Sequence, residues 1–316
     1  MEASTDIVIG ISSCVLGEQV RYDGGHKRLQ FVTEELARHF RFEPVCPEVA
    51  VGLGIPRPTI RLTGDPDSPR VRGSDDPELD VTIELKELGE QKAKELDFIS
   101  GYIFCAKSPS CGMERVPVYS EDGRALGKIG VGAYAKALME ARPLLPVEEN
   151  GRLNDALLRE NFVLRVMAMH RWQSMMRDGL SVAALQKFHR DHKFLLLAHN
   201  QKIYRDLGPM LANIDDIDAT AEQYIEQFMA ALKKPASRRN HVNTLMHMQG
   251  FFKDQLNQTE RDELTNAIHK YREGVLPLLY PLALLRLYLK KHPNPYLEDQ
   301  AYLEPYPEDL QLRYGL

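Results

Sequence analysis

The stretch IVIGISSC at residues 7–14 joins a run of β-branched apolar residues to a polar end that carries Cys14. Such a run predicts a buried strand, because Val and Ile fit a pleated surface. Up to about residue 145, short apolar runs of this kind alternate with helix-like segments. The alternation predicts an α/β region built on a parallel, doubly wound sheet.

The periodicity places the individual elements. It predicts strands at 6–13, 42–45 and 99–104, and helices at 29–40, 80–95 and 132–141. Residues 56–77 are rich in Pro, Gly, Asp and Arg, which predicts a long loop. The remainder of the chain is predicted to be all-α, with helices at 154–177, 182–197, 219–232, 238–252 and 259–273.

A change of character near residues 146–152 divides the chain. We therefore expect an α/β domain at 1–147 and an all-α domain at 148–316, which suits a chain of 316 residues. No apolar run approaches the roughly 20 residues that a membrane span needs. The acidic, polar first residues do not resemble a signal peptide, so we expect a cytoplasmic protein with reduced cysteines. The net charge of −5 argues against indiscriminate nucleic-acid binding.

Three cysteines follow strand-like runs and are surrounded by small, polar or Pro residues, namely Cys14, Cys46 and Cys111. The carboxyl ends of parallel strands meet at one edge of a sheet, so these thiols can converge there. Three thiolates would hold a metal or an iron–sulfur cluster and leave one coordination position open. A nucleophilic cysteine and inert buried thiols stay open as alternatives. Cys105 lies within an apolar run and is predicted to be a core residue.

Two polar residues adjoin the candidate ligands. Glu48 comes two residues after Cys46, and Ser110 immediately precedes Cys111. A carboxylate in this position could act as a general base for water, and the hydroxyl could orient a substrate atom. Each could instead only cap a turn or a helix. Arg21, Arg57, Arg61 and Lys107 could form a cationic rim for a phosphate or a nucleobase, with ordinary surface charge as the alternative.

The second half of the chain contains basic residues interleaved with aromatic ones. Phosphate neutralisation combined with stacking is typical of RNA contact, although solvated basic faces are also common. No spacing of His and Cys in this half resembles a zinc finger. The predicted RNA-binding residues are Lys187, Arg190, Lys193, Arg238, Arg239 and Lys253.

Several motifs together resemble the thiouracil desulfidase family. They are CVLG at 14–17, RYDG at 21–24, CPE at 46–48, PRP at 56–58 and KSPSCG at 107–112. The second half resembles the helical domain that is fused to such desulfidases in RNA 4-thiouridine desulfidases. The matching stretches there are GRL at 151–153, LRENF at 158–162 and HMQGFF at 247–252.

The resemblance implies a 4Fe-4S cluster that is held by Cys14, Cys46 and Cys111, with one iron open to a thiocarbonyl sulfur. It implies catalytic roles for Glu48 and Ser110 and a tRNA or other thiolated RNA as partner. The motifs also supply the candidate substrate-binding residues Arg21, Tyr22, Asp23, Arg57, Lys107 and Ser108.

Other functions stay open at the level of sequence. The chain could desulfidate free thiouracil or a thiouridine nucleotide. It could instead be a non-catalytic iron–sulfur sensor that binds nucleic acid, or a structural zinc protein. The sequence does not distinguish a monomer from a dimer.

Overall fold

A computed structural model describes residues 7–313 of the chain. Its internal contacts divide the chain into two compact units that meet in sequence between Asp155 and Ala156. The first unit combines sheets and helices, and the second is helical. The α/β and all-α classes that the sequence predicts are therefore confirmed, while the domain limits at 147 and 148 stay a prediction.

The described strands all lie in the first unit and are short. In chain order they are β1 (Val8–Ser12), β2 (Arg41–Val45), β3 (Ile60–Thr63), β4 (Arg70–Gly73), β5 (Gly101–Phe104), β6 (Val116–Tyr119), β7 (Ala125–Gly130) and β8 (Val147–Glu149).

The first sheet has the strand order β2-β1-β5-β8, and each of its pairs is parallel. Every residue of β1 and β5 is buried, as expected for strands that are covered on both faces. The predicted strands at 6–13, 42–45 and 99–104 are confirmed within the described residues. From β1 the chain moves to β2 on one side and later to β5 on the other, so a topological switch point lies beside β1. Ligands of open α/β sheets bind at such a point.

A second sheet corrects the prediction of a long loop at 56–77. Strands β3 and β4 lie inside that segment, and the sheet has the order β4-β3-β6-β7. Only the β3–β6 pair is parallel; β3–β4 and β6–β7 are antiparallel. The strands are four to six residues long, and β3 and β4 alternate charged with apolar or small residues. Their signal is therefore weak beside the surrounding Pro and Gly.

The predicted helix at 29–40 is also wrong in type. A π-helical turn at Phe31–Glu35 is followed by a 3-10 turn at Leu36–Arg38. These wider and tighter turns bury Phe31, Val32, Leu36 and Phe40. Burial of these side chains therefore determines the backbone conformation, which differs from the regular helix that the spacing predicts.

The helices of the first unit are α1 (Ser13–Leu16), α2 (Pro47–Ala50), α3 (Thr82–Glu95) and α4 (Ala133–Ala141). The last two confirm the predictions at 80–95 and 132–141. Helices α3 and α4 approach closely at Gly89, where a Cβ atom would lie 2.7 Å from the Tyr134 carbonyl oxygen and 2.8 Å from the Cβ of Ala137. This contact holds α4 against the rest of the unit.

The second unit contains α5 (Ala156–Gly179), α6 (Val182–His199), α7 (Gln201–Met210), α8 (Ile217–Leu232), α9 (Arg238–Gln249), α10 (Gln258–Arg272), α11 (Leu279–Lys291) and α12 (Pro295–Glu298). The five helices predicted for this half are confirmed. Several of their starts carry the caps expected of Ser, Asp and Asn, and Asn257 forms a full capping box with Glu260.

One longer helix of the second unit, α7, was not predicted. The proline of α11, Pro281, lies in the first turn of the helix, where no intrahelical donor is lost. The core of the unit includes an aromatic group in which Tyr224 stacks on Phe228 and Phe188 meets Trp172 edge-on. None of the described helices is long and apolar enough to span a membrane.

Gly10 gives a test of the packing in the first sheet. It pairs with Tyr102, and a Cβ atom at residue 10 would lie 2.4 Å from the Tyr102 ring and 3.0 Å from Ile99. We expect Gly10→Ala to lower the free energy of unfolding by about 1–3 kcal/mol, because the core has no space for the methyl group. Urea unfolding measures this. The control is Gly54→Ala, whose new Cβ would meet only a carbonyl oxygen at 3.9 Å; equal stabilities of the two variants would contradict the packing.

Candidate active site

The carboxyl ends of the first sheet open into a cavity of about 240 Å³. Cys14 follows β1, Cys46 follows β2, and Cys105 and Cys111 follow β5. All four thiols line the cavity, and none of them is in a disulfide. The structure therefore brings together the three cysteines that the sequence singled out, and adds a fourth.

Cys14 is held by a tight turn. It lies in α1, which ends at Gly17 in the left-handed conformation, with φ of 105°, where a glycine is favoured. The carbonyl oxygen of Cys14 accepts hydrogen bonds from the backbone N–H of Lys27 at 2.8 Å and of Gly17 at 3.3 Å. The loop that contains Arg21 and Tyr22 is thereby folded back over the cavity.

Cys111 is held by the loop at 107–112. The Ser108 hydroxyl oxygen accepts hydrogen bonds from the N–H groups of Ser110 at 3.2 Å and Cys111 at 3.1 Å. The start of α4 supports the loop from outside, because a Cβ atom at Gly132 would lie 2.5 Å from the Ser110 carbonyl and 2.8 Å from the Cys111 nitrogen. Glycine at this position permits the close approach.

Glu48 connects the loops around the cavity. Its Oε2 accepts from the Arg57 guanidinium, at 2.6 Å from Nη2 and 3.0 Å from Nε. Its Oε1 accepts from the Ser110 hydroxyl at 2.8 Å and from the Ser108 hydroxyl at 3.3 Å. The two predicted catalytic residues, Glu48 and Ser110, are therefore direct partners. The carboxylate is fixed by charge-assisted hydrogen bonds on one side and by hydroxyls on the other.

Arg57 is not a free cation on the rim. Besides Glu48, its guanidinium donates to the carbonyl oxygens of Val20 at 2.9 Å and Gly54 at 3.0 Å, and its side chain is 3% exposed. The Val20 carbonyl also accepts from the Cys46 thiol at 3.7 Å. Arg57 is placed to hold Glu48 and the Cys46 turn in position.

The other predicted substrate-binding residues differ in where they lie. Arg21, Tyr22, Lys107 and Ser108 line the cavity. Asp23 is exposed and accepts from the N–H of Gly25 at 3.0 Å. That hydrogen bond lowers the pKa of the Asp23 carboxyl and closes the turn that carries the arginine and the tyrosine.

Ser12, Lys27 and Cys105 are among the cavity residues that the sequence did not identify as part of the site. Ser12 ends β1, and its hydroxyl accepts from the Cys105 N–H at 3.0 Å. Lys27 lines the wall. Cys105 is 3% exposed, as predicted for a core residue, yet it faces the same cavity. The position directly after a strand was the available signal, and it was masked by the apolar neighbours of Cys105.

Three of the four thiols resist ionisation. Burial raises the pKa of Cys46 and Cys111 above the ordinary value of a thiol. Cys14 donates a hydrogen bond to Cys105, which raises the pKa of Cys14 and lowers that of Cys105. Lys27 and Arg21 add to the lowering at Cys105. One negative charge is therefore stabilised on this pair, and a second is disfavoured.

The thiols surround the cavity but do not meet at one point. Among residues 7–313, no group of three or more His, Cys, Asp or Glu side chains is arranged to hold a metal ion. A single ion needs its ligands around one centre, whereas each ligand of a multi-iron cluster binds a different iron.

The residues predicted to bind RNA lie on the second unit in two different settings. Lys187 pairs with Asp191 at 2.6 Å, and Arg190 pairs with Asp191 and Asp299 at 2.9 and 2.7 Å. Lys193 is half-buried and lies near His189.

Arg238 and Arg239 line an open groove of about 770 Å³, which also contains His269 and Arg272. The groove has no acidic residue among its described lining residues. The Arg238 guanidinium stands 4.9 Å from the centre of the Tyr271 ring. Lys253 is exposed outside this groove. Among the residues predicted to bind RNA, Arg238 and Arg239 are therefore the two that lie together in a groove without an acidic side chain in its described lining.

Comparison with known proteins finds a different family match in each half of the chain. Residues 9–150 match the model of the 2-thiouracil desulfurase family, and residues 193–307 match a family described as a protein of unknown function, DUF1722. Over 159 residues, the chain is 36% identical to the uncharacterized protein YbgA of Escherichia coli (strain K12), covering 49% of this chain and 94% of YbgA. The chain belongs to the same family as YbgA.

A solved structure is also similar to part of the chain. It is that of the 4Fe-4S-dependent thiouracil desulfidase TudS, which is 28% identical. The match covers 47% of this chain and 93% of TudS, with a TM-score of 0.36. All the cavity residues described above lie within the 9–150 region that matches the 2-thiouracil desulfurase model.

Proposed function

We propose that this protein is a 4Fe-4S-dependent desulfidase that converts 4-thiouridine in tRNA to uridine with release of sulfide. The observation that carries the proposal is the meeting of Cys14, Cys46 and Cys111 in one cavity, beside a carboxylate that is held by Arg57 and Ser110. The cavity lies within the region that matches the 2-thiouracil desulfurase family. A tRNA substrate places the reaction in the cytoplasm.

The donor set fits an iron–sulfur cluster. Cys14, Cys46 and Cys111 would hold the cluster, because thiolates are its ordinary ligands and these three line one cavity. Three protein ligands leave one iron open. When bound, the cluster would supply a soft Lewis acid for the thiocarbonyl sulfur of the substrate.

The side chains of the cavity supply the remaining chemistry. Glu48 already accepts two hydrogen bonds on each oxygen, and the longest of them, from the Ser108 hydroxyl at 3.3 Å, is the one that a water molecule can replace. Glu48 is placed to accept a proton from a water molecule that adds to C4 of the thiopyrimidine. The Ser110 hydroxyl keeps the carboxylate in this orientation. The reaction balances because one water gives the new carbonyl oxygen and both protons of hydrogen sulfide.

The cavity is small, and the proposed cluster would take up part of it, so a single base is the largest reacting group that it admits. At about 240 Å³ it lies below the range of about 300–1,000 Å³ typical of small-molecule sites. Enzymes that modify a base within a polynucleotide turn that base out of its stack and into a pocket. A base from tRNA and a free thiouracil would both satisfy this cavity, so the RNA part of the proposal depends on the second unit.

The basic groove on the second unit supports RNA as the substrate. Arg238, Arg239 and Arg272 lie together, with no acidic partner among the described lining residues. Phosphate contacts of this kind account for most non-specific affinity for nucleic acid. Lys187 and Arg190 contribute less in this proposal, because acidic side chains already neutralise them.

The reaction is tested with anaerobically purified protein, reconstituted with iron and sulfide and incubated with thiolated tRNA. We expect cluster-dependent loss of the thiouridine absorbance, with one sulfide released per base. Glu48→Gln should keep the cluster and lose at least about 100-fold in rate, the usual contribution of general base catalysis. The exposed Glu87→Gln is the matched control. A loaded cluster that leaves the thiouridine intact would instead favour a sensor or a binding protein.

The ligand set is tested by the iron content of four variants. Cys14→Ala, Cys46→Ala and Cys111→Ala should each lose the visible absorbance and most of the iron, since a cluster with two remaining ligands is poorly held. Cys105→Ser should retain full iron, because this thiol is not among the three ligands. Loss of iron in Cys105→Ser, with a folded protein by circular dichroism, would show four-cysteine ligation and remove the open iron from the proposal.

Binding of RNA is tested at the basic groove. We expect the double variant Arg238→Gln/Arg239→Gln to bind tRNA more weakly. The slope of log affinity against log salt should fall by about 0.9 for each phosphate that the variant no longer neutralises. The matched control, Arg177→Gln/Lys290→Gln, removes two exposed charges outside the groove. If both doubles behave alike, or if the free nucleotide is turned over far better than tRNA, the substrate is a small thiolated base or nucleotide.

A further inference from the structure

The helical unit contains a cavity of about 670 Å³ that the proposed reaction does not use. It is bounded by the last turns of α5, by one face of α6, and by α12 with the segment that follows it. Its volume lies within the range of about 300–1,000 Å³ that is typical of sites for small molecules. The cavity is therefore large enough to hold a small organic ligand.

Negative charge dominates the lining of this cavity. Two cations line it, and both are already engaged. Lys187 pairs with Asp191 at 2.6 Å. The Arg171 guanidinium donates to the backbone carbonyl oxygens of residues 304 and 305, at 3.3 and 3.2 Å. Against these two cations stand five carboxylates, which belong to Asp178, Asp191, Glu298, Asp299 and Glu304.

Three of the five carboxylates have no ion pair within residues 7–313. Asp191 and Asp299 both pair with Arg190, at 2.9 and 2.7 Å. Asp178 lies in the last turn of α5, which is 24 residues long, and the C-terminal end of a helix carries partial negative charge. The other two unpaired carboxylates, Glu298 and Glu304, are exposed at the C-terminal segment. The cavity therefore attracts a cation.

His192 provides an independent observation that points to a ligand. It lines the cavity, although the residue is only 3% exposed. Its Nδ1 atom lies 2.7 Å from the Phe188 carbonyl oxygen. Because a carbonyl only accepts hydrogen bonds, Nδ1 carries the ring proton. Nε2 then has a free lone pair, yet this buried atom has no hydrogen-bond partner in the described part of the chain.

The His192 ring is a neutral acceptor. Burial, with a smaller contribution from the nearby Arg171, lowers the pKa of His192 to about 3. With its one proton donated to the Phe188 carbonyl, the ring can only accept from a ligand. A buried acceptor without a partner costs free energy, and a ligand N–H group would remove this cost. The ring and the carboxylates together match a ligand that has positively charged N–H groups.

An organic ammonium fits this lining better than a metal ion. Among residues 7–313, no group of three or more His, Cys, Asp or Glu side chains converges to hold a metal ion, whereas an ammonium needs only one acceptor for each N–H. The unpaired carboxylates come from two different elements, so more than one ammonium group can be paired. Between the charges, methylene groups would contact the apolar lining residues Met175, Ala184 and Ala301.

We propose that this cavity binds an aliphatic diamine or polyamine, whose ammonium groups donate to His192 Nε2 and pair with Asp178 and Glu304. The site does not depend on the proposed desulfidase reaction. It also gives a different role to two residues that the sequence predicted to bind RNA. Lys187 and Arg190 hold the carboxylates of Asp191 and Asp299 in the wall of the cavity.

Calorimetric titration of the nucleic-acid-free, full-length protein with putrescine, spermidine and Mg²⁺ tests the site. We expect saturable binding of one amine per chain, and weaker binding of Mg²⁺ than of putrescine, which has the same charge. Asp178→Asn/Glu304→Gln should weaken amine binding by about tenfold or more, as the loss of charged hydrogen bonds does. The matched control is Glu222→Gln/Glu226→Gln, which removes the same charge from exposed positions of α8 and should leave the affinity unchanged.

His192→Phe tests the ring nitrogen itself. The new ring can still stack on Phe188, as His192 does at 4.1 Å, but it has no acceptor, so amine binding should weaken. Circular dichroism shows whether this variant is folded; if it is not, the carboxylate variant decides, because it changes only exposed side chains.

Three results would overturn the site. Neither amine might bind saturably, or Mg²⁺ might bind as tightly as putrescine. The third is an equal loss of affinity in the two carboxylate double variants. The second and third results would show a general attraction of cations to an acidic surface. None of these results bears on the desulfidase reaction, which is measured separately by the release of sulfide.

Discussion

The parallel pairing of β1 with its two neighbours is the constraint on which the cavity depends. The last residue of β1, Ser12, is in register with Val45 at the end of β2, and Ile11 is in register with Ile103 of β5. Chain segments that leave these strands must therefore turn at the same edge. A shift of register by one residue would exchange the two faces of a strand and would separate Cys14 from Cys46.

Around this edge, most of the polar residues act by holding each other. Glu48 accepts from Arg57 and Ser110, Ser108 accepts from the backbone at Cys111, and Ser12 bonds to the chain at Cys105. The loops that carry the thiols are thus connected by side chains that come from distant parts of the sequence. This connection explains how segments without long helices or strands of their own can present a fixed group of thiols.

The sequence predicted the parts of the structure that have a strong local signal. The apolar run before Cys14, the helix at α3 and the long helices of the second unit all have clear periodicity. The residues of the cavity were found because their types are chemically distinctive, as with Cys46-Pro47-Glu48. The strands β3 and β4 were missed because each has only four residues. They are stabilised by pairing within the second sheet, whose other strands come from a later part of the sequence. The place of Cys105 and the pairing of Arg57 depend on which side of a strand or turn faces the cavity. Periodicity does not show which side faces the cavity. A sequence also does not distinguish an exposed charged residue from a buried one that holds the site in place.

The contact between Gly132 and the loop of Cys111 has a consequence for the synthesis of the protein on the ribosome. The cavity uses residues from Ser12 to Cys111, and its last support is the start of α4, beyond residue 130. A chain that emerges from the ribosome with its first residues leading exposes Cys14 and Cys46 before their partners exist. The site is completed only after roughly the first half of the chain has been synthesised. At the usual rate of about 5–20 residues per second, Cys14 and Cys46 therefore stay exposed to solvent for several seconds.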